Sequence, residues 1–249
     1  AGDEERIEDA FYRDLAFGTG GLRGVIGAGT NRMNVYIVAR ASQGLSNYVI
    51  NHFAPEQRSI AISYDSRIKS DVFSKIAAEV FAANGIQAFI YKELMPVPCV
   101  SFATRYLRCA AGIMVTASHN PSQYNGYKVY GADGCQMTSA AANEVLGEIE
   151  KLDLFADSRR ISFEEGLKDG RISYIPEEVY TAFVEEVKKQ SVAGEAPIDK
   201  DVAIVYTPLN GAGLKPVLRT LKETGYTNIT GVKEQERPDG NFPTCPYPN

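Results

Sequence analysis

The sequence predicts an α/β protein: a first domain over residues 1–175 built as a three-layer α/β/α sandwich, then an incomplete second α/β domain over 176–249. Short apolar, β-branched runs (Ser59 to Tyr64, Ile86 to Tyr91, Gly112 to Ala117) alternate with longer segments of helical period, the pattern of βα units. The run from Gly112 to Ala117 is apolar at successive positions, so both faces of its strand need a covering layer of helices. At 249 residues the chain is long enough for one large or two smaller cores.

Ile7, Phe11 and Leu15 recur every four residues and predict an opening amphipathic helix, ended by Gly18, Gly20 and Gly21. A glycine-rich loop carrying Arg23 follows. Val35, Val38, Leu45 and Val49 predict a second helix over 35–50, and the strand Ser59 to Tyr64 runs into Asp65-Ser66-Arg67. Ser70 is the expected N-cap of a helix bearing Val72, Ile76 and Val80, which Gly85 closes in a left-handed cap. The strand Ile86 to Tyr91, a helix entered through Pro96-Val97-Pro98 and running to about Arg108, and the strand Gly112 to Ala117 come next. Thr138 caps a helix toward Leu154. Residues 156–175 lose periodicity, and 176–190 return as an amphipathic helix that bridges the two domains. Asp201 to Tyr206, the Asn210-Gly-Ala-Gly213 turn, a helix from Leu214 to Glu223 and a strand from Thr227 to Val232 make the start of a second βαβ unit, too few elements to close a sheet alone.

With 26 basic and 31 acidic residues, a net charge of −5 and a pI near 5.3, no global field draws the chain to nucleic acid or anionic lipid, so neither is expected as a partner. Oligomeric state is not legible. Cys99, Cys109, Cys135 and Cys245 lack metal-knuckle or redox-pair spacing and read as reduced core thiols. Nothing approaches the ~20 apolar residues of a membrane span, and Ala-Gly-Asp-Glu-Glu is unlike a signal peptide, so a cytoplasmic protein is expected. The missing initiator methionine and the Pro-rich end from Pro243 to Asn249 suggest a fragment of a longer protein.

The chemistry is expected where the 112–117 strand breaks into Ser118-His119-Asn120-Pro121, with Asn125-Gly126 and Lys128 behind it in the same polar loop. Ser118 leaves a strand end of an α/β sheet, where ligands collect, and the turn formers after it keep its hydroxyl accessible. A serine hydrolase fits poorly: there is no Gly-x-Ser-x-Gly elbow, His119 is the immediate neighbour of the serine, and His52 follows a helix. Gly18 to Gly24 fits neither the P-loop nor the dinucleotide fingerprint.

Thr-Ala-Ser118-His119-Asn-Pro with Asn-Gly-Tyr-Lys128 closely resembles the phosphoserine loop of the α-D-phosphohexomutases, the phosphoglucomutase and phosphomannomutase superfamily. The resemblance implies that Ser118 is stored phosphorylated, gives its phosphoryl group to a sugar monophosphate and takes one back from the bisphosphate. It implies that His119 is the histidine beside the serine, Lys128 helps deprotonate the sugar hydroxyl, and Arg23 of Gly-Leu-Arg-Gly is the arginine of the N-terminal loop. Arg67 and Asn120 are then phosphate or substrate contacts. Mg²⁺ is the implied metal, held by Ser118 through its phosphate, and glucose 1,6-bisphosphate the implied activator. Phe-Gly-Thr-Gly-Gly-Leu-Arg-Gly, Asn-Gly-Tyr-Lys-Val-Tyr and Asp-Gly-Asn-Phe-Pro look most like the phosphoglucomutase and phosphopentomutase branch. Glucose 1-phosphate and glucose 6-phosphate are the expected substrates, with mannose or pentose phosphates second and a catalytically silent sugar-phosphate binding module as the rival. In relatives an aspartate-rich Mg²⁺ loop follows a string like Pro238 to Pro243. None follows here, so the isolated 249 residues are expected to be inactive.

Overall fold

In a computed structural model that describes residues 2–18, 20–192, 194 and 198–246, the chain builds a seven-stranded mixed sheet and a separate two-stranded one. Thr19 of the glycine loop and the last residues of the Pro-rich end, 247–249, lie outside the described residues. Helix α1 (Gly2–Phe11) precedes a hairpin of β1 (Phe17–Gly18) and β2 (Gly21–Val25). Then come α2 (Val35–His52), β3 (Ser59–Tyr64), α3 (Ser70–Ala83), β4 (Gln87–Ile90), α4 (Val97–Tyr106), β5 (Ala111–Val115) and β6 (Tyr124–Gly131). The first sheet ends with α5 (Ser139–Glu150), α6 (Phe163–Asp169) and β7 (Ile172–Tyr174). Beyond it lie α7 (Glu177–Lys189), β8 (Ile204–Tyr206), α8 (Leu214–Glu223), β9 (Ile229–Gly231) and α9 (Lys233–Glu236). No helix among the described residues is long and apolar enough to cross a membrane.

The first sheet runs β1-β2-β6-β5-β3-β4-β7, parallel from β5 through β3 and β4 to β7 and antiparallel on the β6, β2, β1 side. All five residues of β5 are buried, because helices cover both its faces. On one face Ile60, Ile62, Ile113 and Val115 join Leu45 and Val49 of α2, Phe73 and Val80 of α3, and Val145 of α5. On the other, Ala61 and Met114 pack with Cys99, Val100 and Ala103 of α4 and with Val179, Tyr180 and Val184 of α7. Helix α7 thus seals the first sheet and also carries α8: Arg219 lies 4.7 Å over the Tyr180 ring and donates to Thr181 Oγ1 at 3.0 Å. The second sheet is one parallel pair, β8 with β9, crossed over by α8.

The structure departs from the sequence reading at several points. Helix α1 stops at Phe11, leaving Leu15 outside it, and Ile7 and Phe11 are 61 % and 55 % exposed, so its apolar stripe has no core against it. Gly21 to Gly24 is strand, not loop, and Arg23 therefore projects from β2. Lys69, in left-handed backbone, caps α3, while Ser70 is its first residue and donates its hydroxyl to Asp65. Residues 156–175 contain α6 and β7, both too short to show a period. Only Cys99 and Cys109 are core thiols; Cys135 is exposed and Cys245 half-buried.

Candidate active site

Strand β5 delivers Thr116 and Ala117, both buried, to a turn in which Ser118 and His119 are exposed. Ser118 takes a φ of 57°, a left-handed conformation that costs a non-glycine residue free energy and persists only where its surroundings impose it. Here they do. The Ser118 N–H donates to Thr116 Oγ1 at 2.9 Å, and the Thr116 hydroxyl donates in turn to Asp65 Oδ2 at 2.5 Å. Asp65 Oδ1 accepts from the Arg67 N–H at 3.0 Å and the Ser70 hydroxyl at 2.9 Å. Burial pushes the Asp65 carboxyl upward, and the bonds from Thr116, Arg67 and Ser70 pull against it.

Arg67 holds the turn from below. Its side chain has no solvent exposure, and its guanidinium donates to the carbonyls of Ser118 (2.8 Å), Asn120 (2.5 Å), Pro121 (3.0 Å) and Tyr124 (3.0 Å). A planar fork can satisfy several backbone acceptors at once, which an ammonium cannot. Expected as a phosphate contact, Arg67 instead spends its Nη donors on the loop that carries the serine.

Strand pairing sets the cations. Arg23 of β2 lies opposite Gly126 of β6 and Gly21 opposite Lys128, so Arg23 and Lys128 are diagonal neighbours on one face. Lys128 is a strand residue rather than a loop one. It also faces Met114 of β5, two residues before Thr116, so this face of the sheet opens at Ser118. Glycine is required at 126, where a Cβ would fall 2.6 Å from Thr116 O and 2.8 Å from Leu22 O. Arg23 Nη1 donates to Asn120 Oδ1 at 3.1 Å, bringing an expected catalytic residue and an expected phosphate contact together. Partial burial, and then the positive charge of Arg23, lower the Lys128 ammonium from lysine's usual value, which is the direction a proton acceptor needs. His119 Nδ1 lies 3.5 Å from Ser118 Oγ, too far for a strong bond. His52 stands elsewhere, at the end of α2, 2.9 Å from Glu144.

Beside Ser118 is a hollow of about 250 Å³ whose walls come from both sheets' loops: Asp65, Thr116 and Ser118 from the first, Leu209, Ala212 and Phe242 from the second. Thr116, Asp65 and Phe242 were not singled out in the sequence. Thr116 and Asp65 sit inside strings that were, but their roles depend on pairing across about fifty residues of chain. Among the described residues no three His, Cys, Asp or Glu side chains converge on a point. Asp65, the carboxylate lining the hollow beside Ser118, is already engaged by Thr116, Ser70 and Arg67, so these residues do not by themselves make a Mg²⁺ site.

Comparison with known proteins places this geometry in context. Residues 14–155 match the model of phosphoglucomutase/phosphomannomutase α/β/α domain I, and residues 179–249 that of domain II. The chain is 37 % identical over 246 residues to a phosphoglucomutase of Staphylococcus saprophyticus, covering 99 % of this chain and 44 % of that one. It is 32 % identical over 258 residues to a Mus musculus phosphopentomutase (100 % and 41 %) and 33 % identical over 262 residues to a Saccharomyces cerevisiae phosphoribomutase (99 % and 42 %). The chain therefore spans less than half the length of these relatives. Among solved structures, a Burkholderia thailandensis phosphoglucomutase/phosphomannomutase family protein shares the fold with a TM-score of 0.69 at 21 % identity, over 91 % of this chain and 45 % of that one.

Proposed function

Because this chain belongs to the phosphoglucomutase/phosphomannomutase family, we propose that it carries the phosphoserine of a phosphosugar mutase, with Ser118 as the carrier and glucose 1-phosphate and glucose 6-phosphate as substrates. The observation that carries the reading is the exposed Ser118 hydroxyl, held in a left-handed turn by buried donors and acceptors, on the sheet face that presents Arg23 and Lys128. A phosphoserine brings close to two negative charges and three acceptor oxygens, which such cations balance.

In the forward half-reaction a sugar hydroxyl attacks the phosphorus on Ser118. The new O–P bond forms as the Ser118 Oγ–P bond breaks, the hydroxyl proton passes to the neutral Lys128 Nζ, and that proton is then returned to Ser118 Oγ, which leaves Lys128 neutral again. The bisphosphate then gives its other phosphoryl group back to Ser118 by the reverse route. Arg23, anchored on Asn120, orients the phosphate, and Arg67 fixes the turn. Glucose 1,6-bisphosphate primes the cycle, Mg²⁺ is the proposed metal, and the free thiols accord with a cytoplasmic setting.

Relatives named phosphopentomutase and phosphoribomutase support pentose phosphates as the second reading. The test is a coupled assay on the protein expressed from its complete reading frame, with glucose 1-phosphate, mannose 1-phosphate and ribose 1-phosphate in competition. Preferential formation of glucose 6-phosphate supports the proposal. Faster turnover of ribose 1-phosphate would move the substrate to a pentose, and no turnover of any of them would leave a silent binding module.

A further inference from the structure

Phe242, from a loop of the second unit, reaches the arginine that holds the serine turn. Phe242 is 8 % exposed with a φ of 49°, and its ring lies over the Arg67 guanidinium at 5.2 Å. Arg67 gives its Nη donors to the carbonyls of Ser118, Asn120, Pro121 and Tyr124 while its charge lies over the Phe242 ring, so one guanidinium serves both contacts. The turn that carries the ring rests directly on the main chain beside Arg67: a Cβ at Gly240 would fall 2.5 Å from Ile68 N and 2.8 Å from Ser66 O.

The turn is also tied into the second unit. The Asp239 N–H donates to Asn210 O at 3.1 Å, and Phe242 N–H donates to Asp239 O at 3.1 Å. Asn210 is 2 % exposed and left-handed, with its amide donating to the carbonyls of Glu234 and Arg237 and its Oδ1 accepting from the Thr244 hydroxyl. A continuous path of contacts thus runs from Asn210 through the 239–242 turn and the Phe242 ring to Arg67, and from Arg67 to the carbonyl of Ser118 itself.

We infer that Phe242 is a positioning residue, pressing Arg67 onto the serine turn so that the seating of the second unit sets the geometry of Ser118. A structural plug would fill the same space with any apolar side chain. The arrangement here is specific to an aromatic face over a cation that is already bound at its edge. The consequence for phosphoryl transfer rests on Ser118 being the phosphoryl carrier, whereas the mechanical coupling does not.

Phe242→Ala and Phe242→Tyr, in the protein expressed from its complete reading frame, test both parts separately. The first readout is amide hydrogen exchange at Ser118 and Asn120, with β3 and β4 as internal references. The second is the rate of transfer of labelled phosphoryl from glucose 1,6-bisphosphate to Ser118. Phe242→Ala is expected to speed exchange in the turn about 30-fold, the size of a desolvated cation–π contact, while leaving β3 and β4 unchanged. It should slow transfer by up to about 10²-fold, the cost of a misplacement near 1 Å, and Phe242→Tyr should restore both. Unchanged exchange in the turn, a uniform rise across β3 and β4 as well, or a tyrosine variant no better than alanine would each overturn the inference. If the unmutated protein takes no label at Ser118, the mutase reading falls, and the exchange measurement alone decides the coupling.

Discussion

Where the parallel strands begin, at Ser59, Gln87 and Ala110, the surface opens into a basin of about 1140 Å³ lined by Arg58, Arg105, Arg108 and Arg171; where they end, the hollow beside Ser118 measures about 250 Å³. The larger basin is chemically dispersed. Arg58 caps the end of α2 through the carbonyls of Ile50 and Phe53, and Arg171 is paired with Asp169 and Glu165. At the smaller hollow, Asp65, Thr116 and Arg67 all act on one turn, Arg23 of β2 reaches Asn120 of that turn, and Lys128 of β6 lies diagonal to Arg23. Convergence of partners, not volume, distinguishes the Ser118 end of the sheet, the end where ligands of α/β sheets gather, beyond the carboxyl ends of the strands.

The strongest way to break this contrast is at Lys128. Lys128→Met should lower turnover by about 10²- to 10⁴-fold with little change in KM, and Lys128→Arg should not rescue it, since arginine does not give up its proton. Steady-state kinetics check this, and near-normal turnover in both variants would reduce Lys128 to a charge on a sheet face. Next is the clamp. Arg67→Met should destabilise the fold by about 3–5 kcal/mol in denaturant unfolding, because it strands the Asp65 carboxylate and the turn's carbonyls together. Arg67→Lys should recover little of that loss, having no fork to span the same acceptors.

Thr116→Val tests the same network more gently. It keeps the volume but leaves one oxygen of Asp65 and the Ser118 N–H without their partner, at a cost of about 1–3 kcal/mol readable as a shift in unfolding midpoint. A pH titration sharpens the electrostatic side. The folded state disfavours the Lys128 ammonium, so its pKa there lies below lysine's 10.5. This lysine's stability contribution is therefore full above 10.5 and falls away as pH drops through the lowered folded value. Turnover that needs the free amine should rise with pH over that window, and the limb should vanish in Lys128→Met. At the other end of the sheet, Arg105→Ala and Arg108→Gly should change neither turnover nor, by more than about 0.5 kcal/mol, stability measured by thermal unfolding.

Much of the scaffold was legible because its elements carry a period long enough to read. β3 occupies Ser59 to Tyr64 and α8 Leu214 to Glu223, as their apolar patterns require, and the Thr138 side chain caps α5. The hairpin at Gly21 to Val25 was not, since glycines that signal a turn in isolation serve here to let β2 approach β6. β7 is an edge strand of three residues whose register is set only by pairing to β4. In the candidate site, motif points to Ser118, His119, Asn120, Arg23, Lys128 and Arg67 but says nothing of the directions of their side chains. A guanidinium can face an anion or a set of carbonyls, and which one Arg67 faces is decided by the turn more than fifty residues away.

If the converging end of the sheet holds a phosphorylated Ser118, the protein expressed from its complete reading frame takes up label from glucose 1,6-bisphosphate at that residue, which peptide mass analysis locates. A single phosphate is expected on Ser118, discharged by added glucose 6-phosphate and absent in Ser118→Ala. Label on any other residue, or undiminished labelling of Ser118→Ala, would contradict it.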